Sequence, residues 1–226
     1  MSDALLGVII GGTFGFMGAM LGIIANAWLD ARRAKRERVR EVRLRLVGNQ
    51  VQTSEVLEFV KTHHRKVDHI YEAGEAADLS RANLAQIDLR GQSLVGVKFF
   101  RANLVNADLD YADLSFTDFS KADLSNADLT GAKLHGAKLG WVRLPHADLC
   151  KADLSEAKLS NADFTHARLH EVDFTGADLT NADLTGADLT DSNITPEQLR
   201  QAKSTAGVLL SPGLHLNTPV AIISNN

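Results

Sequence analysis

Ala122-Asp123-Leu124-Ser125-Asn126 and, directly after it, Ala127-Asp128-Leu129-Thr130-Gly131 are two copies of one five-residue pattern, Ala-Asp-Leu-x-x. The pattern extends in both directions without insertion, giving twenty-four units from Ala77 to Pro196. Every fifth residue from Leu79 to Ile194 is Leu, Phe or Ile. A period of five fits neither a 3.6-residue helix nor the two-residue alternation of a strand. Short repeats of this regularity are the mark of a solenoid, in which each unit buries its apolar side chains against its neighbours.

Take the Leu of each unit as its centre. Two residues earlier stands Ala in most units, and Ile87, Val97, Val142 or Val172 in others. Both positions are read as pointing inward: the large centre fills the core, and the small Ala lets the chain turn close to the axis. The residue before the centre is usually Asp or Asn. Such side chains hydrogen-bond nearby backbone and suit tight turns. The aspartates are therefore read as turn residues rather than as paired acid–base carboxylates.

The repeat resembles that of the pentapeptide-repeat family, over about half of the chain. The resemblance implies an all-β solenoid, a right-handed parallel quadrilateral β-helix with four units to a square coil and about six coils. At ~4.8 Å per coil the rod is on the order of 29 Å long. The resemblance does not give a function, because a scaffold motif carries no chemistry by itself. Folding by twenty sorts the outward residues into rows. One row, Asp78, Lys98, Asp118, Lys138, Lys158 and Asp178, reads as a ladder of salt bridges. A second, Asp88, Asp108, Asp128, Asp148, Arg168 and Asp188, is mainly acidic. A third runs Arg81, Arg101, Lys121, Trp141, Asn161 and Asn181. It is basic towards the first coils, and its residues Arg81, Arg101, Lys121 and Trp141 are the candidate partner surface.

Both ends of the repeat depart from the pattern, as terminal repeats do. In the first coil Gln92 takes an inward position and Phe99 is followed by Phe100. At the other end Thr195-Pro196-Glu197-Gln198 reads as an N-cap, a first-turn Pro and a capping Gln. A short capping helix is expected over Pro196 to Lys203. Val208, Leu209 and Leu210 are expected to finish covering the open end. The family resemblance further implies that such a terminal helix can support dimerisation.

The N-terminal third has a different composition. No charged residue stands between Asp3 and Asp30, and Ala4–Leu29 is long enough to cross a bilayer. Arg32, Arg33, Lys35, Arg36, Arg38 and Arg40 follow it, which sets the orientation with the N-terminus outside and the repeat domain cytoplasmic. These six residues are the expected contacts to lipid headgroups, and Trp28 the interfacial anchor. A glycine-rich helix buried in a soluble oligomer is the other reading. Gly7, Gly11, Gly15 and Ala19 recur every four residues, and Gly18 and Gly22 form another such pair. Small residues at that spacing allow close approach of two helices, so the span is expected to self-associate. Ala31 to about Tyr71 reads as a helical stalk with a coiled-coil-like seam that includes Val56, Val60 and His63. Gly48 and Asn49–Ser54 weaken it, leaving one helix or two. The organisation is therefore a transmembrane helix (1–30), a basic, coiled-coil-like stalk (31–76), the β-helix (77–196) and a capping helix with tail (197–226).

The net charge of −4 is unevenly placed. Ala77–Pro196 carries eighteen acidic and eleven basic residues, net −7, whereas Asp30–Leu46 carries eight basic and three acidic, net +5. The single cysteine, Cys150, fits a reducing compartment and is expected to point outward. No phosphate loop, paired-cysteine site or nucleophile elbow occurs. His146 and His166 fall one coil apart and are weak candidates for a transition-metal site. No cofactor is expected, and no enzyme, since the repeat has no long loops from which to build a pocket. The expected function is a single-pass scaffold of the cell membrane, presenting a rod to an unknown cytoplasmic protein. Its other partners are membrane lipids and further copies of itself, without direct nucleic-acid binding. The alternative, drawn from the resemblance, is a DNA mimic that binds a type II topoisomerase, as in quinolone resistance. The span, the lack of loop insertions and the lysines and arginines within the acidic rows (Lys98, Lys133, Lys138, Arg143, Lys158, Arg168) stand against it.

Overall fold

The computed structural model describes residues 52–63 and 77–212, all within one compact unit, Arg45–Asn226. Ala4–Leu29 and the small-residue row from Gly7 to Gly22 lie outside the described residues, as does the basic cluster Arg32–Arg40. No helix among the described residues is long and apolar enough to cross a membrane.

From Ala77 the chain coils with a period of twenty. Single-residue parallel bridges join Asp78 to Lys98, Asn83 to Asn103, Asp88 to Asp108, and so on to Arg168 and Asp188. Each bridge falls on the residue before a centre. Around it the backbone bonds repeat: Leu79 N–H donates to the Lys98 carbonyl (2.7 Å), Lys98 N–H to Ala77 (2.9 Å), and Arg81 N–H to Phe100 (2.9 Å). The backbone groups thus pair coil to coil, as buried polar backbone must.

Each five-residue unit ends in a corner. Ala82 N–H returns to the Leu79 carbonyl (3.1 Å), and Arg81 between them has φ of 63°. That is the arrangement of a type II turn, whose third residue needs positive φ. The same position is left-handed in unit after unit, from Gln86 and Gly91 to Asp191. Asparagine and glycine recur there because they adopt this region at least cost. The aspartates supply the other half of the corner. Ser80 N–H donates to Asp78 Oδ1 (3.0 Å), and Ser115 gives both its N–H and its hydroxyl to Asp113 Oδ1 (3.2 and 2.8 Å).

Centres and alanines are buried together, among them Leu109, Ala127, Leu129 and Ala147. Phe99 and Phe119, one coil apart, stack inside with ring centroids 4.8 Å apart and planes 4° from parallel. Thr117 occupies an Ala position with no exposed surface, and its hydroxyl donates to the Leu114 carbonyl (2.6 Å), which removes the cost of burying it. In the first coil Gln92 is half-buried and donates to the Arg90 carbonyl (3.3 Å), while Phe99 is buried and Phe100 only half so.

Two helices are described. α1, Thr53–His63, buries Val56, Phe59 and Val60. Gln52, directly before it, is not helical and its carbonyl accepts from Glu55 N–H (3.0 Å); the rest of the expected stalk, 31–51 and 64–76, lies outside the described residues. α2, Pro196–Gln201, begins with the expected capping box between Thr195 and Gln198. Gln198 also replaces a missing rung, its side-chain amide donating to the carbonyls of Phe174 (2.7 Å) and Ala177 (3.1 Å). The helix ends at Gln201 rather than Lys203, because the chain rejoins the coil with its register lengthened by one residue: Asp183 bridges Ser204 and Asp188 bridges Leu209. That slip places Leu209 opposite the outward Asp188, and it is 57% exposed instead of covering the end. Val208 and Leu210, on either side, are half-buried.

Candidate partner-binding edge of the rod

The row Arg81, Arg101, Lys121 and Trp141 occupies one corner of four successive coils, each residue with positive φ and exposed. Trp141 is 60% exposed. The Arg101 guanidinium lies 5.3 Å from the centroid of the Phe100 ring, a cation–π distance. Beside this row runs the one expected to be a salt-bridge ladder. The structure corrects that expectation: none of Lys98, Lys138 and Lys158 forms an ion pair among the described residues. Lys138 and Lys158 bridge each other, and the Asp178 carboxylate instead accepts the Ser160 hydroxyl (2.6 Å), the main cause of its lowered pKa.

Ion pairs between coils form on other faces. Arg143 reaches Asp123 (2.8 Å), Arg168 reaches Asp148, and Lys151 reaches Glu171 (3.9 Å). Arg90 reaches both Asp88 (2.8 Å) and Asp108 (3.2 Å). The acidic row is thereby partly neutralised. Its neighbour Asp110 is pushed above the usual carboxylate range by burial first, then by the charges of Asp128 and Asp108.

His146 and His166 stack with ring centroids 5.2 Å apart and planes 14° from parallel. Rings laid face to face do not converge their nitrogens on one point, and among the described residues no third His, Cys, Asp or Glu joins them in a metal-sized group. His170 lies apart from this stack, with Nε2 3.0 Å from Glu171 and Nδ1 2.9 Å from the Thr190 hydroxyl. Cys150, expected outward, is only 8% exposed, more deeply buried than most residues that follow a centre. Burial, with the Asp148 carboxylate second, pushes its thiol up to about 11, so it is a thiol and not a thiolate at neutral pH.

One surface escaped the sequence reading. Tyr111 and Phe116 occupy adjacent corners of the second coil, and each ring lies over a glycine one coil later: Gly131 and Gly136. Phe116 also meets His135 edge-on, centroids 5.3 Å apart. The signal was in the twenty-residue folding, which sets an aromatic residue directly before a glycine in both rows.

The model of pentapeptide repeats matches this chain in eight copies spanning residues 75–195, more than half of its length. Solved structures of other proteins also resemble the chain. A pentapeptide repeat protein of the Arabidopsis thaliana thylakoid lumen is 31% identical, over 49% of this chain and 73% of that one, with a TM-score of 0.43. QnrB1, a plasmid-mediated fluoroquinolone resistance protein, is 20% identical over 61% and 78%, with a TM-score of 0.48. HetL, involved in heterocyst differentiation regulation in the cyanobacterium Nostoc sp. strain PCC 7120, is 25% identical over 72% and 92%, with a TM-score of 0.31. All three scores fall below 0.5, so family membership rests on the repeat match. No curated protein matches the chain.

Proposed function

The chain belongs to the pentapeptide repeat family, and from that premise we propose that it is a non-enzymatic, membrane-anchored interaction scaffold. Its rod, in this proposal a right-handed square coil, stands on the cytoplasmic side and binds through the edge Arg81, Arg101, Lys121 and Trp141. One observation carries the reading. Bridges at a constant offset of twenty run from Asp78 to Asp188, so outward side chains stand in fixed rows, and one row displays an exposed Trp beside Arg81, Arg101 and Lys121, none of which reaches a carboxylate among the described residues. Exposed aromatic and arginine side chains are what binding surfaces concentrate. The anchor is supported by the uncharged stretch Ala4–Leu29 and the basic cluster after it.

A photo-reactive side chain at Lys121 tests the binding edge in intact cells. A discrete adduct there, absent when the probe is moved to Lys151 on the opposite corner, supports it. No adduct at Lys121, or the same adducts from both corners, contradicts it.

The acidity of Ala77–Pro196 favours one second reading, the DNA mimic directed at a type II topoisomerase. The pairing of Asp88, Asp108 and Asp148 with Arg90 and Arg168 weakens its acidic face. Full-length protein in mild detergent inhibits gyrase supercoiling at micromolar concentration if that reading holds, and added salt relieves the inhibition. No inhibition leaves the scaffold alone.

A further inference from the structure

The cations of the rod divide by face. Arg90, Arg143, Lys151 and Arg168 each reach a carboxylate. Arg81, Lys98, Arg101, Lys121, Lys138 and Lys158 reach none among the described residues, and all six stand on two neighbouring rows. Among the described residues one other cation of the rod, Lys133, lacks such a partner, and it lies elsewhere. Three acids share the two rows, Asp78, Asp118 and Asp178, so this strip is net positive on a rod of net −7. Trp141 stands within it and Phe100 lies under Arg101.

We propose that this edge docks on the anionic headgroups of a lipid bilayer, with Trp141 set into the interface. The bridges keep a constant offset of twenty, so the two rows repeat once per coil and set their cations side by side along one edge. Tryptophan concentrates at membrane–water interfaces, and each basic residue near an anionic surface adds to the attraction. Docking this way turns the opposite corner, with Tyr111, towards the cytoplasm. The proposal rests on the reading above for both the edge and the tether: it names the bilayer, not a protein, as what that edge meets, and a discrete protein adduct at Lys121 decides against it.

The chain has two tryptophans, so Trp28→Phe leaves Trp141 as the single indole reporter. Full-length Trp28→Phe protein is reconstituted in vesicles of phosphatidylcholine alone and of phosphatidylcholine with phosphatidylserine. The expected result is a blue-shifted Trp141 emission, quenched by brominated acyl chains, in the phosphatidylserine vesicles only, and reversed by high salt. Lys121→Gln/Lys138→Gln/Lys158→Gln loses the shift with the circular dichroism of the rod unchanged, whereas Lys133→Gln/Lys151→Gln keeps it. Identical emission in both lipids overturns the proposal. So does a shift produced by single-stranded oligonucleotide and not by vesicles. Carbonate washing of the same vesicles separates the two readings. Protein that resists washing but shows no shift loses the edge and keeps the anchor; protein that shows the shift but washes off keeps the edge and loses the anchor.

Discussion

Tyr111 lies across Gly131, the residue one coil further on at the same corner: a Cβ on Gly131 would stand 2.5 Å from the Tyr111 ring. The glycine therefore serves two ends, a left-handed corner (φ +63°) and a floor for the ring.

Gly131→Ala should destabilise the rod by about 1–2 kcal/mol, the cost of a left-handed alanine plus displacement of the ring. Tyr111→Ala removes the ring, so the double variant should lose less than the sum of the two single variants. Chemical denaturation of the four proteins checks this; strict additivity means that ring and glycine do not interact.

Leu129 and Asp128 are neighbours in sequence with opposite surroundings. Leu129 is buried in a middle coil, while Asp128 is outward and accepts Thr130 N–H (2.9 Å). Leu129→Asp places an unpaired charge in the core and should cost more than about 4 kcal/mol or unfold the rod. Asp128→Asn keeps the corner acceptor and should cost less than about 1 kcal/mol. Equal shifts in thermal unfolding for the two variants would reverse the inward and outward assignment.

This division was legible from the sequence because it depends only on the period. A Leu every fifth residue with an Ala two before it fixes which side chains face in, and the structure buries both positions. Properties that depend on contacts between coils were less legible. Charge order along a row does not show whether side chains meet: Asp118 and Lys138 are bridge partners without an ion pair, while Asp123 and Arg143 are bridge partners with one. The exposure of Leu209 turns on a one-residue slip after Gln201 that apolarity alone does not signal. Cys150 is buried where most residues after a centre are half-buried or exposed, and the period, which treats them all alike, does not signal it.

The carboxylates of the last coils give the rod an acid limit. Asp173, Asp178 and Asp188 are held below the usual range chiefly by hydroxyl donors, from Thr175, Ser160 and Thr190 respectively. Their folded pKa values lie below the unfolded value of about 3.9. The stability they contribute is complete above that value and is lost as pH falls through the folded ones. The thermal midpoint should stay level from neutral pH to about pH 5 and drop below about pH 4. Asp173→Asn/Asp178→Asn should flatten the drop. Asp110, raised by burial and its acidic neighbours, works the other way: Asp110→Asn should stabilise at neutral pH, with the gain vanishing below about pH 4.

Assembly is the outcome expected of the row Gly7, Gly11, Gly15 and Ala19. Full-length protein in mild detergent should run as a homo-oligomer by mass photometry, and Gly11→Ile should reduce it by blocking close approach of the helices. The circular dichroism of the repeat should not change. A monomer in every detergent, with Gly11→Ile matching the wild type, removes the basis for self-association through this row.

The account stands most directly on where the rod sits. Cells expressing the chain with a carboxyl-terminal tag are converted to spheroplasts, treated with protease, and their membranes washed with carbonate. The anchored scaffold predicts that the protein stays in the membrane pellet and that the tag survives protease until the cells are broken. Release by carbonate, or a tag digested on intact spheroplasts, contradicts it.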